Sequence, residues 1–446
     1  MQIKAKNNLG LIFFPAFDWS ISPTHPEREE RLLYTKDQVL EEGLLDIEGI
    51  KEYNPLVATE DDVNRTHICI PDAKSIISKP HLISAGGAIK AAELVMQKEV
   101  DKAFAIIRPP GHHAFRVVHG ARGFCTINNE AIMVEYLRNK YDSDLKIAFV
   151  DTDAHHADGT QNIYYNDPNI LHISIHQDGR TLFPGTGFTD ELGGPGAWGR
   201  TINLPLPTNT TDQGLHYALD NLILPILDDF DPDLIINAAG QDNHYSDPLT
   251  RMNITAQGYA ELNDKLDPDL AILQGGYSIE SALPYINTGI MLAMAGLDYS
   301  YIQEPDYDPT VKEQPAKITD TIKQRTNKLI TSWQKRDKID LQDEFPIKNI
   351  NGEDYHINHR NIFYDTSQLR EEQEIKIKIC DDCSGVMIID SQVRPHSMGE
   401  TRSIILPFDV CNECRQLGYD KYEASKQDFS AVYLQDKVGD KLLTNL

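Results

Sequence analysis

Asp153 and His155 stand one residue apart in the run Asp151-Thr-Asp153-Ala-His155-His156-Ala-Asp158-Gly. On an extended segment that spacing turns both side chains to the same side. Asp242, in a separate run Ala239-Gly240-Gln241-Asp242, offers a second carboxylate. Two carboxylates and one imidazole leave a coordination position open for water and substrate, as catalytic zinc requires. Taken alone, Asp153 and His155 read more plainly as a cap and a packed core histidine. That reading gives way because base and oxyanion candidates accompany them. His112 and His113 are adjacent after the rigid turn Arg108-Pro-Pro-Gly, and each imidazole needs a carboxylate to set its tautomer and basicity. Asp151 and Asp158 flank the metal segment and are the natural partners. Tyr277 follows Gly275-Gly276, a pair that permits a tight turn and lets a phenol hydroxyl reach a tetrahedral oxyanion. Acidified water, imidazole base and phenol donor together describe hydrolysis of an amide or ester.

Such groups must be carried to one place, and the surrounding sequence has the pattern to do it. Short apolar runs at Ala103–Ile107, Lys146–Val150, Ile170–Ile175, Leu234–Ala238 and Leu270–Leu273 are rich in β-branched residues and separated by segments of helical length. That is the signature of a parallel sheet covered on both faces, an α/β fold. Helices are predicted over 83–98, 128–138 and 213–227. Each run leads directly into a polar cluster: Arg108 to His113, Asp151 to Asp158, His176-Gln-Asp178-Gly, Ala239 to Asp242, and Gln274-Gly275-Gly276-Tyr277. One such cluster reads equally well as an ordinary turn. Together they fall at the carboxyl edge of the sheet, where open α/β sheets bind ligands.

The 446-residue chain is 40% hydrophobic, enough for a large core, and carries 42 Lys+Arg against 68 Asp+Glu. A formal charge of -26 argues against a global grip on nucleic acid. The N-terminal apolar stretch Leu9–Phe14 is broken by Pro15, which does not make a secretory signal, and no run approaches a spanning helix. The expectation is a cytoplasmic protein with no membrane partner. After an acidic, Pro-rich loop at 303–315, an amphipathic helix is expected with Ile318, Ile322, Leu329, Ile330 and Trp333 on one face. The character then changes, and two domains are expected: 1–340, and a small β-rich module over 341–446.

That module holds Cys380-x-x-Cys383 and Cys411-x-x-Cys414. Paired CxxC knuckles on β-hairpin turns supply four thiolates for a closed, structural zinc site; iron–sulfur or redox cysteines are the other readings. The module then stabilises the tail, binds partners or shapes the active-site rim. His396, in the spacer, reads as a loop residue. Cys69 and Cys125 read as small buried hydrophobes.

The motifs Ser22-Pro-Thr-His-Pro-Glu-Arg-Glu-Glu-Arg31, RPPGHHA (108–114), GFC (123–125), DTDAHHADGT (151–160), SIH (174–176), FPGTG (183–187), AGQD (239–242) and GGYS (275–278), in this order, resemble the histone deacetylase superfamily in its class II-like and bacterial branch. The resemblance covers about residues 10 to 300. It implies an arginase/deacetylase-type, eight-stranded parallel sheet flanked by helices. It also implies zinc on Asp153, His155 and Asp242, with His113 paired to Asp158 as general base and Asp151 partnering His112. Tyr277 matches the carbonyl-polarising tyrosine, Gly123, Phe124 and Phe183 the walls of a narrow acyl-lysine tunnel, and Arg31 the arginine near the product channel. A potassium ion is implied beside the zinc, with Asp151, Asp153, His155, Ser174 and Ile175 as ligands. One departure is AGQDNHYSDPL around Asp242, where His244 and Tyr245 are not typical and a changed substrate rim is expected. The implied activity is deacylation of acyl-lysine in a protein or peptide. An acetylated polyamine is the near alternative substrate, by the same motifs. An arginase-like site with two manganese ions would need further bridging carboxylates. A non-catalytic acyl-lysine-binding scaffold is disfavoured by the intact set of reactive residues. A homo-oligomer is among the partners considered, and in the polyamine branch the resemblance implies that a dimer partner narrows access to the site.

Overall fold

In the computed structural model, which describes residues 3–305, 307–395 and 399–446, the N-terminal part of the chain supplies β1 (Lys4–Phe14), β2 (Glu48–Tyr53), β3 (Ile68–Cys69), β4 (Lys102–Ile107), β5 (Val117–Val118), β6 (Ile147–Asp151), β7 (Ile170–Gln177), β8 (Thr201–Leu206), β9 (Leu234–Ala239) and β10 (Leu270–Leu273). Eight of these form one sheet in the order β2-β1-β4-β10-β9-β6-β7-β8, with β3 and β5 paired separately. Every pairing in the large sheet is parallel. His396 lies outside the described residues.

The strands predicted from the sequence are buried almost throughout. Successive residues of β4 alternate between two apolar cores: Phe104 and Ile106 point into one, Ala103, Ala105 and Ile107 into the other. Because both faces are covered, the runs are mostly apolar, interrupted by Lys146, His172, Ser174 and Asn237. The strands that sequence reading did not resolve are β1, β2 and β8. Strands β2 and β8 are the two edges. The sequence of β2, EGIKEY, is largely solvated, and β8 carries Pro205, whose missing N–H an edge tolerates. The helix expected over 213–227 runs as Asp212–Ala218, a wide turn at Leu219–Ile223, and Leu224–Phe230. The amphipathic helix spans Ala316–Lys335 and buries Ile322, Leu329 and Trp333 against the first core, with Ile318 and Ile330 half-buried.

The remainder of the chain adds β11 (Ile347–Ile350), β12 (Glu353–Tyr364), β13 (Leu369–Lys378), β14 (Met387–Arg394), β15 (Glu400–Leu406), β16 (Ala431–Asp436) and β17 (Lys441–Thr444). They form a second sheet in sequential order. Its pairings are antiparallel except β15 with β16, which the helix Asn412–Ser425 connects. One face is covered by that helix through Ile388, Ile404, Leu406, Tyr422 and Val432. The opposite face sets Ile375, Ile389, Ile405 and Tyr433 against Ile68, Ile70 and Val117 of the N-terminal part. This second sheet therefore packs on the segment that follows His112 and His113. No helix among the described residues is long and apolar enough to cross a membrane.

Candidate active site

Four strands adjacent in the sheet, β4, β10, β9 and β6, end in the segments carrying His112–His113, Tyr277, Asp242 and Asp153–His155. Their parallel direction brings the reactive residues to one edge. Ligand atoms of Asp153, His155 and Asp242 all lie within 4.8 Å of one another. His155 Nδ1 is 3.1 Å from Asp153 Oδ1 and 2.9 Å from Asp242 Oδ2. Backbone N–H groups hold the carboxylates: Gly275 donates to Asp153 Oδ2 and Ala154 to Asp242 Oδ1, both at 2.7 Å. The glycines here are steric necessities. A Cβ on Gly240 would meet Asp153 Cα at 2.3 Å, and one on Gly275 would meet Asp242 Oδ2 at 2.5 Å.

The charge of this cluster fits a cation. Burial and the neighbouring Asp153 push Asp242 above its ordinary value. Burial alone would lower His155, yet Asp242 and Asp153 hold it well above its usual range. Two buried carboxylates around one imidazole thus draw positive charge to the point they share, and the oxygen–nitrogen donor set suits zinc.

The paired histidines sit in opposite environments. His112 Nδ1 is 3.1 Å from Asp151 Oδ2, and His113 Nδ1 is 2.8 Å from Asp158 Oδ1. Burial opposes charge on His112, but Asp153, Asp151 and Glu130 outweigh it and raise it to about 9. Burial, His112, Arg122 and His155 together hold His113 well below its ordinary value. Such divergence of two titratable neighbours marks acid–base roles.

Tyr277 is buried, with its backbone N–H donating to Asp247 Oδ2 at 2.7 Å. Its ring stands edge-on to Phe124 at 5.8 Å, and His113 faces Phe183 at 5.1 Å. A small cavity of about 30 Å³ is lined by Pro110, His112, His113, Gly123, Phe124, Asp153, His155, Gly275 and Tyr277. Arg31 is fully buried: its Nε donates to Gly276 O at 2.8 Å and its Nη2 to Gln274 O at 2.6 Å. Its guanidinium lies 4.7 Å from the Tyr277 ring centre and pairs with Glu27.

A histone deacetylase domain matches residues 72–292. A probable deacetylase of Archaeoglobus fulgidus is 46% identical over 312 residues, 64% of this chain and 85% of that protein. The chain belongs to the histone deacetylase family. This family member is also 32% identical to histone deacetylase HDA1 of Candida albicans over 314 residues, 60% of the chain but 37% of the yeast protein. The crystal structure of the HDA15 HD domain shares its fold, with a TM-score of 0.64 at 24% identity, covering 75% of this chain and 97% of that domain. The second sheet lies beyond the matched family domain.

Within this deacetylase-family chain, Asp151 and Ser174 are register partners on β6 and β7, and Ile175 follows on β7. Ser174 Oγ is 2.9 Å from His176 Nδ1. In the departing run near Asp242, Tyr245 is half-buried and Ser246 is exposed, its Oγ 2.6 Å from Ser278 Oγ. His244 is buried and pairs with Glu304 at 3.1 Å, while Asp247 from the same run buttresses Tyr277. Sequence reading missed Glu130, beneath His112, and the role of Gln274, whose Oε1 accepts from Gly111 N and His112 N at 2.9 and 3.2 Å. It also missed Arg122, whose Nη1 is 2.5 Å from Asp158 Oδ2. Only its place beside GFC could have flagged Arg122.

The four C-terminal cysteines converge, their sulfurs within 4.8 Å of one another. Cys380 and Cys383 lie in the β13–β14 connection. The second pair departs from the hairpin expectation: Cys411 caps the helix Asn412–Ser425, its sulfur accepting from Cys414 N at 3.4 Å. Cys69 and Cys125 are buried thiols, pushed up by burial, Cys69 to about 12.

Proposed function

We propose that this chain is a zinc-dependent hydrolase of N-ε-acyl-lysine amides. The observation that carries the reading is the meeting, in one cavity, of a three-donor cluster, a neutral histidine backed by a carboxylate, and a phenol. Asp153, His155 and Asp242 would hold the zinc. When bound there, zinc acidifies water and polarises the substrate carbonyl.

The residues divide the remaining work. Phe124, Phe183 and Gly123 sheathe the lysine stem and exclude water. His113, hydrogen-bonded through Nδ1 to Asp158, takes the proton of the attacking water at Nε2 and afterwards gives it to the leaving amine. The Tyr277 hydroxyl donates to the oxyanion as it forms. His112, hydrogen-bonded through Nδ1 to Asp151, lines the cavity beside His113 and helps to orient the reacting groups. Arg31 fixes the turn at Gly276 through its carbonyl contacts, and the product-channel role stays part of this reading. A potassium ion on Asp151, Asp153, His155, Ser174 and Ile175 is supported by the adjacency of β6 and β7. A second zinc on Cys380, Cys383, Cys411 and Cys414 is supported by the convergence of four sulfurs. We assign residues 1–340 to the catalytic domain and 341–446 to the module.

The test is hydrolysis of an acyl-lysine peptide series by zinc-loaded protein, with acetylated polyamines alongside. Peptide turnover, abolished in His113→Ala with zinc retained, is expected. Turnover of polyamines alone would move the chain to a polyamine amidohydrolase. Silence on both, with zinc bound, would overturn the hydrolase reading.

A further inference from the structure

The cavity wall at Gly123–Phe124 is held in a conformation that Phe124 does not itself favour. Gly123 has φ +52° and Phe124 φ +68°, two consecutive left-handed residues as in a type I′ turn. Arg122 and Cys125 close that turn by exchanging both backbone hydrogen bonds at 2.8 Å. A phenylalanine in the left-handed region persists only where its surroundings over-determine it. The turn's own bonds leave the N–H groups of Ala121 and Gly123 without acceptors inside it.

Both acceptors come from the C-terminal sheet, at the tip between β12 and β13. Asp365 Oδ1 accepts from Gly123 N at 2.8 Å, and Ser367 Oγ accepts from Ala121 N at 2.8 Å. Ser367 N returns a bond to Ala121 O at 3.3 Å. The approach leaves no room for a side chain, since a Cβ on Gly120 would meet Ser367 Oγ at 2.6 Å. Arg122 extends the contact inward. Its Nε donates to Phe363 O at 3.1 Å while its Nη1 pairs with Asp158, the carboxylate that orients His113. The strand ends behind the tip are anchored: Ile362, Tyr364 and Leu369 pack on Phe115, two residues past His113.

We propose that the hairpin tip of the C-terminal sheet is a positioning element of the active site. Asp365 and Ser367 fix the turn that presents Phe124 to the lysine stem, and Arg122 links that turn to the Asp158–His113 pair. The inference rests on the hydrolase reading for its effect on turnover. Its structural core, that Asp365 holds residues 121–124, stands without it.

The experiment compares the full-length wild type with Asp365→Ala and Asp365→Asn, all zinc-loaded. Asn keeps an oxygen acceptor for Gly123 N and should restore what Ala loses. With an acetyl-lysine peptide, Asp365→Ala is expected to lower kcat/KM by roughly tenfold to a hundredfold, the scale of a small displacement in an active site. KM should rise because the stem loses its wall. Asp365→Asn should stay near wild type, with all three unfolding within a few degrees of one another. Amide hydrogen exchange of residues 119–125, which needs no substrate, should speed up in Ala and not in Asn. Unchanged exchange in Asp365→Ala would overturn the proposal whatever the protein hydrolyses. So would equal losses in Ala and Asn that follow unfolding temperature. An inactive wild type showing the expected exchange pattern would sink the hydrolase reading alone.

Discussion

The two clusters of metal-type side chains differ in donors and in company. At the edge of the parallel sheet, Asp153, His155 and Asp242 offer oxygen and nitrogen, and they share a cavity with His112, His113 and Tyr277. In the C-terminal module the donors are four sulfurs. Backbone N–H groups serve those sulfurs, Gly385 donating to Cys383 and Cys414 to Cys411 at 3.4 Å, and apolar residues such as Val386, Ile404 and Leu406 surround them. Three donors leave a coordination position for chemistry, whereas four thiolates close the shell and convert binding energy into folding energy. On the proposed reading, one site reacts and the other holds a fold.

The largest effect should come from separating the two. Wild-type protein is expected to carry two equivalents of zinc by elemental analysis. Asp242→Ala should keep one and turn over at background. The double variant Cys411→Ser, Cys414→Ser should also keep one, yet retain turnover within several-fold while its module melts several degrees earlier. The tolerance follows from distance. Cys380 lies just past Lys378 at the far end of β13, a ten-residue strand that spans roughly 30 Å, and the bracing tip is at its near end. Loss of all turnover in the cysteine variant with the sheet-edge zinc in place would erase the distinction.

A smaller effect separates buried histidines outside both clusters. His67 lies under the active-site loops, its Nδ1 2.8 Å from Phe115 O and its Nε2 accepting from Asn128 N at 2.9 Å. Burial lowers it to about 4. A second proton would set an Nε2–H against the Asn128 N–H. Because the folded value lies below the ordinary 6.5, the unfolded chain protonates first as pH falls. The stabilisation is therefore whole above pH 6.5 and is lost between 6.5 and 4, to a limit of about 3 kcal/mol. Unfolding midpoints of wild type should fall across that window, and His67→Gln should show a shallower slope. Equal slopes would mean that His67 protonates without cost.

Much of the site was legible because its chemistry is local in sequence. Asp153, His155, His113 and Tyr277 each follow a strand whose two buried faces make it mostly apolar, so strand and cluster announce each other. Edge strands β2 and β8 lack that signal, since one neighbour is missing and polar residues or Pro205 are tolerated there. Long-range partners were illegible for a different reason. Asp365 belongs to an ordinary-looking turn, and nothing nearby in sequence links it to Gly123, 242 residues away. Asp247 likewise acts on Tyr277 only through the fold. The helix at Asn412 had a readable pattern, with Cys414, Leu417, Gly418 and Tyr422 at helical spacing on the side that packs into the module core. The paired cysteines drew the reading to a hairpin instead.

The most direct test of the central claim is turnover of an acetyl-lysine peptide by zinc-loaded wild type beside Tyr277→Phe, with zinc content measured in both. Wild type should hydrolyse the amide, and the loss of one hydroxyl should lower kcat by about 10²–10³-fold with zinc unchanged. A Tyr277→Phe protein as active as wild type would contradict the account, as would a fully loaded wild type that leaves the amide intact.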